Sequence, residues 1–258
     1  MRRIVQRDGP RRRTSLRIQR GLEMMRDDAT PYPGFRSALA DRASTFLGAV
    51  YGWMCAGLTI TAATAWFVAG SPEIVRTIAA NGVLFWILAI AQLAIVFVLS
   101  ARVQQLAAST AALLFVVYSV LTGVTLSFVL LAFTGESVAT TFLVTAGMFG
   151  GLALYGSITK RSLGAFGQFL FMGLLGVVLA SLVGLFWHND AFQFALSFVG
   201  VVVFSGLVAY DAQRLKAMAL ATPDGQAGSY AIVGALALYL DFTNLFLFLL
   251  RFTGNRRE

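Results

Sequence analysis

The sequence predicts an all-α integral membrane protein with seven transmembrane helices, and three features carry that prediction. Hydrophobic residues fill 58% of the 258 positions and charged residues only 12%, where soluble domains hold about 45–50% and about 25%. The mean hydropathy is +0.76. The apolar residues also fall in long blocks rather than alternating, as expected of a chain that faces lipid.

Residues 1–42 precede the apolar blocks and hold eleven of the twenty Lys and Arg residues. They are expected to form a basic, disordered cytoplasmic tail, with the membrane domain at 43–258. Anionic lipid is the plain partner for such a tail. No aromatic interleaving supports nucleic-acid binding. Asp8, Glu23, Asp27 and Asp28 argue against a mitochondrial presequence. The first apolar stretch begins only near residue 46 and is long enough to span, so no cleavable signal peptide is expected.

A span needs about 20 apolar residues. Seven stretches supply them, roughly 46–69, 83–101, 106–133, 138–158, 164–187, 191–213 and 230–252. The breaks between them, in order, read "GSPEIVRTIAANG", "ARVQQ", "TGES", "TKRSLG", "WHND" and "ATPDGQAGS". Pro10, Pro31, Pro33, Pro72 and Pro223 all fall outside the spans, unlike the interrupted helices of many transporters. With the N-terminus inside, the inner segments carry the tail, Arg102, Lys160, Arg161, Arg214 and Lys216, and the outer ones carry Arg76. That satisfies the positive-inside rule. Seven crossings then leave Arg256 and Arg257 outside, against it. Gly147 with Gly151, and Gly164, Gly167, Gly173 and Gly176, predict close packing among the helices of one monomer.

Two carboxylates lie inside spans, Asp211 in "VVVFSGLVAYDAQRLKAM" and Asp241 in "LYLDFTNLF". Each costs about 2.5–3.5 kcal/mol at a helix centre unless it faces a cavity or a partner. The helix formers of "RLKAMALAT" extend span six to about Ala221, where Pro223, Asp224 and Gly225 stop it. Asp211 then lies about ten residues from the turn and Asp241 about eleven residues into span seven, so the two come level. Two such carboxyls cannot both ionise cheaply and tend to share a proton. The pair could serve as a proton sensor, a divalent-cation (Ca²⁺) site of hard oxygens, or an aspartyl protease dyad. Arg102, ending span two on the inner face, is the candidate latch. Arg214 and Asn244 are candidate supports, and Arg251 shares the helix face of Asp241 as an interfacial anchor.

The stretches "AYDAQRLK" and "GALALYLDFTNLFLFLLRF" resemble the signature end of the Bax inhibitor-1 family. The likeness continues through "YGWMCAGL", "LSARV", "LYGSITKR" and "FLFMGLLGVVLASLV". It implies a bundle in which helix seven is wrapped by the other six. It also implies a pH-sensitive calcium leak, with the paired aspartates matching Asp211 and Asp241 and a latch arginine best matched by Arg102. Some members carry an acid in helix two, where this chain offers only Gln92. Protonating the pair would release the latch and open an inner path for Ca²⁺ as the permeant ion.

The first rival is a protease. Tyr210-Asp211 is half of a presenilin-type signature, but Leu238, Tyr239 and Leu240 stand where Gly-x-Gly should precede the second aspartate. No enzyme activity is expected, and no catalytic residue is assigned. The second rival is a regulator that binds a membrane-anchored ATP-dependent protease, a role that the resemblance implies for some bacterial members, with the Arg-rich tail as the natural contact. His188 is the only histidine and Cys55 the only cysteine. That excludes a His cluster, a Ser-His-Asp set and an internal disulfide. No lysine lies in span seven to hold retinal, no Walker or Rossmann pattern is present, and no cofactor is expected. The short loops and lack of targeting features point to a bacterial inner membrane.

Overall fold

The computed structural model describes residues 33–184, 186–187, 189–223 and 225–257. These form eight helices: α1 (Pro33–Ala69), α2 (Pro72–Ala80), α3 (Gly82–Ala101), α4 (Ala108–Ala132), α5 (Gly135–Ile158), α6 (Gly164–Gly184), α7 (Asp190–Ala221) and α8 (Ala227–Thr253). All but α2 are long and apolar enough to cross a membrane. Helices are the answer a bilayer imposes, because buried backbone groups there find no water and must bond within the segment. Residues 1–32, which hold most of the expected tail, lie outside the described residues.

Two boundaries differ from the sequence reading. Residues 33–42 are already helical, continuous with the first span. The break "GSPEIVRTIAANG" contains a short helix, with a proline in its first turn beside Glu73 and Asn81 at its end. Proline there gives up an N–H that the helix leaves unbonded anyway, and a carboxylate suits the positive end of the dipole.

Residues 43–258 divide from residues 1–42 as a unit of their own. Within that unit the last helix is the innermost: 72% of its most apolar window is buried, against 6–39% for the other spans. Each face of α8 is keyed to a different neighbour. Tyr239 lies edge-on to Phe115 and Tyr118 of α4, at 5.8 and 5.7 Å between ring centres. Phe242 meets Phe142 and Phe149 of α5, both at 5.5 Å. Phe248 stacks on Phe204 of α7 at 5.7 Å, over Gly200, where any Cβ would strike its ring.

Tyr239 also ties in α1. Its hydroxyl lies 2.6 Å from Thr61 Oγ1, which itself donates to the Ser119 carbonyl at 2.9 Å, so the tyrosine is the donor. Tyr239→Phe is expected to cost about 0.6 kcal/mol, the mean for such bonds inside membrane bundles, read as a shift in reversible unfolding in micelles. Hydroxyls within α4 bond to its own backbone: Thr122 donates to the Tyr118 carbonyl and Thr125 to that of Thr122, both at 2.9 Å.

The chain's last residues settle where α8 ends. Asn255 accepts from Thr134 N–H at 3.1 Å and donates to Ser137 Oγ at 2.9 Å, and Arg257 N–H donates to the Ala132 carbonyl at 3.0 Å. The Arg256 guanidinium lies over the Phe133 ring at 6.0 Å. Helix α8 therefore runs the length of the bundle and is pinned to the α4–α5 turn. That turn lies at the end of the bundle opposite Arg102, Lys160, Arg161, Arg214 and Lys216. The exposed Trp66, Trp86 and Trp187 lie at this opposite end too, as an aromatic belt at a membrane interface requires.

Candidate functional site

The site is made where α7 and α8 run antiparallel across a short turn. Helix α7 ends at Ala221 with Thr222 as its cap, the extension that the helix formers after Asp211 predict. Gly225 turns the chain with φ +90°, a conformation that side-chain-bearing residues rarely adopt. Asp211 lies ten residues before Ala221 and Asp241 fourteen after Ala227, a difference in depth of about 6 Å at 1.5 Å per residue. Side-chain direction closes that gap. Cβ atoms tilt towards the N-terminus of their own helix, so in an antiparallel pair the two carboxyls lean towards each other. The side chains of Asp211 and Asp241 come within hydrogen-bonding reach.

The two aspartates have different surroundings. Asp241 is 5% exposed and its Oδ2 has no hydrogen-bond partner among the described residues. Asp211 is half-buried. An orphaned carboxylate oxygen in such a place is costly when ionised. A proton shared with the neighbouring carboxyl, or a cation, would meet the need.

Glycines hold Asp211 in position from two sides. A Cβ at Gly156 of α5 would collide with the Ala209 carbonyl, and one at Gly167 of α6 would enter the Tyr210 ring. The two residues before Asp211 are thus clasped between α5 and α6. Two residues beyond it, Gln213 accepts from Leu163 N–H at 2.8 Å and donates to the Arg161 carbonyl at 2.9 Å. Lys216 donates to the Ser157 carbonyl at 2.8 Å. Gln213→Leu is expected to cost about 1 kcal/mol and to loosen the α5–α6 loop, seen as faster amide exchange at Leu163. Exchange unchanged from wild type would remove that clamp.

Of the glycines singled out by spacing, Gly147, Gly151 and Gly176 have open space around them. Gly147 and Gly151 lie on the exposed side of α5. This corrects the expectation that they pack against a neighbouring helix of the bundle. Close approach is made by Gly167, one of the glycines so expected, and by Gly156, Gly123, Gly200 and Gly234, which the spacing did not single out. Spacing finds a small stripe, but in a bilayer both faces of a helix are apolar, so spacing cannot say which face turns inward.

The candidate supports are placed differently. Arg214, one turn past Asp211, is the cation whose charge acts on it. Arg102 is exposed at the C-terminal cap of α3. Asn244 gives its amide nitrogen to the Leu240 carbonyl at 2.8 Å and lines a cavity at the end of the bundle opposite Arg102. Gln92 reaches the Leu121 carbonyl at 3.5 Å, away from the pair. Among the described residues no three His, Cys, Asp or Glu side chains converge. Two carboxylates supply at most about four of the six to eight oxygens that Ca²⁺ takes. His188 lies outside the described residues.

Comparison with known proteins gives these residues a context. A family profile described as "Inhibitor of apoptosis-promoting Bax1" matches residues 43–258. The chain is 49% identical to the Inner membrane protein YbhL of Escherichia coli K12 over 231 residues, 88% of this chain and 99% of that one. A Deinococcus radiodurans protein is 45% identical over 219 residues (84% and 93%), and one from Borreliella burgdorferi is 41% identical over 215 (83% and 93%).

Proposed function

The chain belongs to the Bax inhibitor-1 family, and from that premise we propose that it is a calcium leak channel opened by protons at Asp211 and Asp241. The observation that carries the reading is the juxtaposition of the two carboxyls across α7 and α8, with Asp241 buried and its Oδ2 unpartnered. Helix α8 is packed on every face, so a change of charge at Asp241 acts on the element that touches most of the bundle. In the closed form the pair bears negative charge, which the cations of the basic end hold in place. Protonation cancels that attraction, and α7 and α8 part enough for a hydrated path to form between them. The proton binds the open form, so leak rises as pH falls. We place the protein in a bacterial inner membrane with its N-terminus in the cytoplasm, in keeping with the E. coli relative and with the positive-inside rule.

A proteolytic reading gains no support from the residues around Asp241. Leu238 and Tyr239 are fully buried and fill the approach that a peptide would need.

Two cations compete for the part of latch. Arg214 already acts on Asp211 from the same helix, whereas Arg102 has to be carried in by movement of α3. Arg214→Gln is expected to raise the leak at neutral pH. Arg102→Gln does so only if α3 closes on the pair in the resting state. The decisive measurement is Ca²⁺ entry into dye-loaded proteoliposomes, from about pH 5 to about pH 8. Absence of entry throughout, from folded protein, would sink the channel reading and favour a regulator of a membrane-bound protease.

A further inference from the structure

At the end of the bundle opposite the basic loops, α6, the start of α7 and the end of α8 enclose a cavity of about 810 Å³. Its lower wall is the Phe204–Phe248 stack with Asn244, and its side towards lipid is formed by Val178, Leu182 and Phe194, all exposed. Charge in the cavity is concentrated at its mouth. Arg251 and Arg256 line it together, and Asp190, the first residue of α7, lines it too.

Arg251 and Arg256 both line this cavity, and two like charges near one another repel unless an anion lies between them. Guanidinium is shaped for the paired oxygens of a phosphate, and it sheds water more readily than an ammonium does. The apolar side wall is open to the bilayer and suits an acyl chain. Asp190 adds one negative group beside two positive ones, which matches a headgroup that carries an amine as well as a phosphate.

We propose that this cavity is a phospholipid headgroup site, in which Arg251 and Arg256 bind the phosphodiester and Asp190 receives an ammonium. The lipid chain lies along Val178, Leu182 and Phe194. The site is independent of the aspartate pair and stands whether or not the chain conducts ions.

Native mass spectrometry of the full chain in neutral detergent tests it, with phosphatidylethanolamine, phosphatidylglycerol and inorganic phosphate as probes. Wild type is expected to retain one phosphatidylethanolamine. Arg251→Gln/Arg256→Gln should weaken it by about tenfold or more, which is about 1.4 kcal/mol. Arg76→Gln and Arg257→Gln, whose side chains do not line the cavity, should bind as wild type does. Equal retention by the double variant, or equal loss in the two controls, would overturn the site. Inorganic phosphate that displaces the lipid would show a free-anion site and overturn the lipid assignment. Asp190→Asn should erase the preference for ethanolamine over glycerol, and no preference in wild type would overturn the role of Asp190. Should the double variant fail to fold, Arg256→Gln alone, at an exposed position beyond the helix, reads the same comparison.

Discussion

Proteoliposomes carrying Asp211→Asn/Asp241→Asn are expected to admit Ca²⁺ at the same rate at about pH 5 as at about pH 8. In wild type, a single shared proton that binds the open form can change the ratio of open to closed by at most about tenfold per pH unit, because one unit is worth about 1.36 kcal/mol. On the proposed mechanism, leak is expected to climb as pH falls through the range in which the pair takes up its proton, and to level off below that range. Asparagine keeps the shape of the side chain and can donate a hydrogen bond, but it cannot titrate. The double variant should remain folded and lose only the slope. The single variants separate the roles. Asp241→Asn removes the carboxyl that is buried and orphaned, so it should flatten the profile more than Asp211→Asn does. A single Asp241→Asn variant that keeps the wild-type profile would refute proton sensing at this site.

Gly156→Ala is expected to destabilise the protein by about 3 kcal/mol, at the upper end of the usual cost of overpacking. The added methyl meets the carbonyl of Ala209, which is backbone and has no rotamer to change. Relief can come only by moving α7 away from α5, which carries Asp211 with it. Gly151→Ala is the matched control. It lies on the same helix with open space around it, and alanine favours a helix by about 0.8–1 kcal/mol over glycine. It should therefore be neutral or slightly stabilising. Unfolding of both variants in micelles gives the comparison. Equal stabilities would mean that the close contact between α5 and α7 does not hold the bundle together.

The sequence by itself settled the spans, because the bilayer judges each segment alone: about 20 apolar residues with few charges cross it, wherever they sit. It also singled out the two aspartates, since a carboxylate in a span stands out against the apolar background. The run of helix formers up to Pro223 showed how far helix six continues, and the family resemblance to "AYDAQRLK" and "LYLDFTNLF" was legible in full. The identity of the innermost helix was a different matter. Lipid tails are as apolar as leucine, so burial in the bundle and burial in the bilayer select the same residues. Only the resemblance pointed to α8; hydropathy alone does not separate it from its neighbours. The same reason hid the facing of Gly147 and Gly151, which look like packing glycines and are turned outwards, while Gly156 does the packing. The folding back of residues 254–257 onto the α4–α5 turn and the arginine-lined cavity both depend on pairings between segments distant in the chain. Those pairings are decided by shape and close approach, which become visible only once the helices are set against one another.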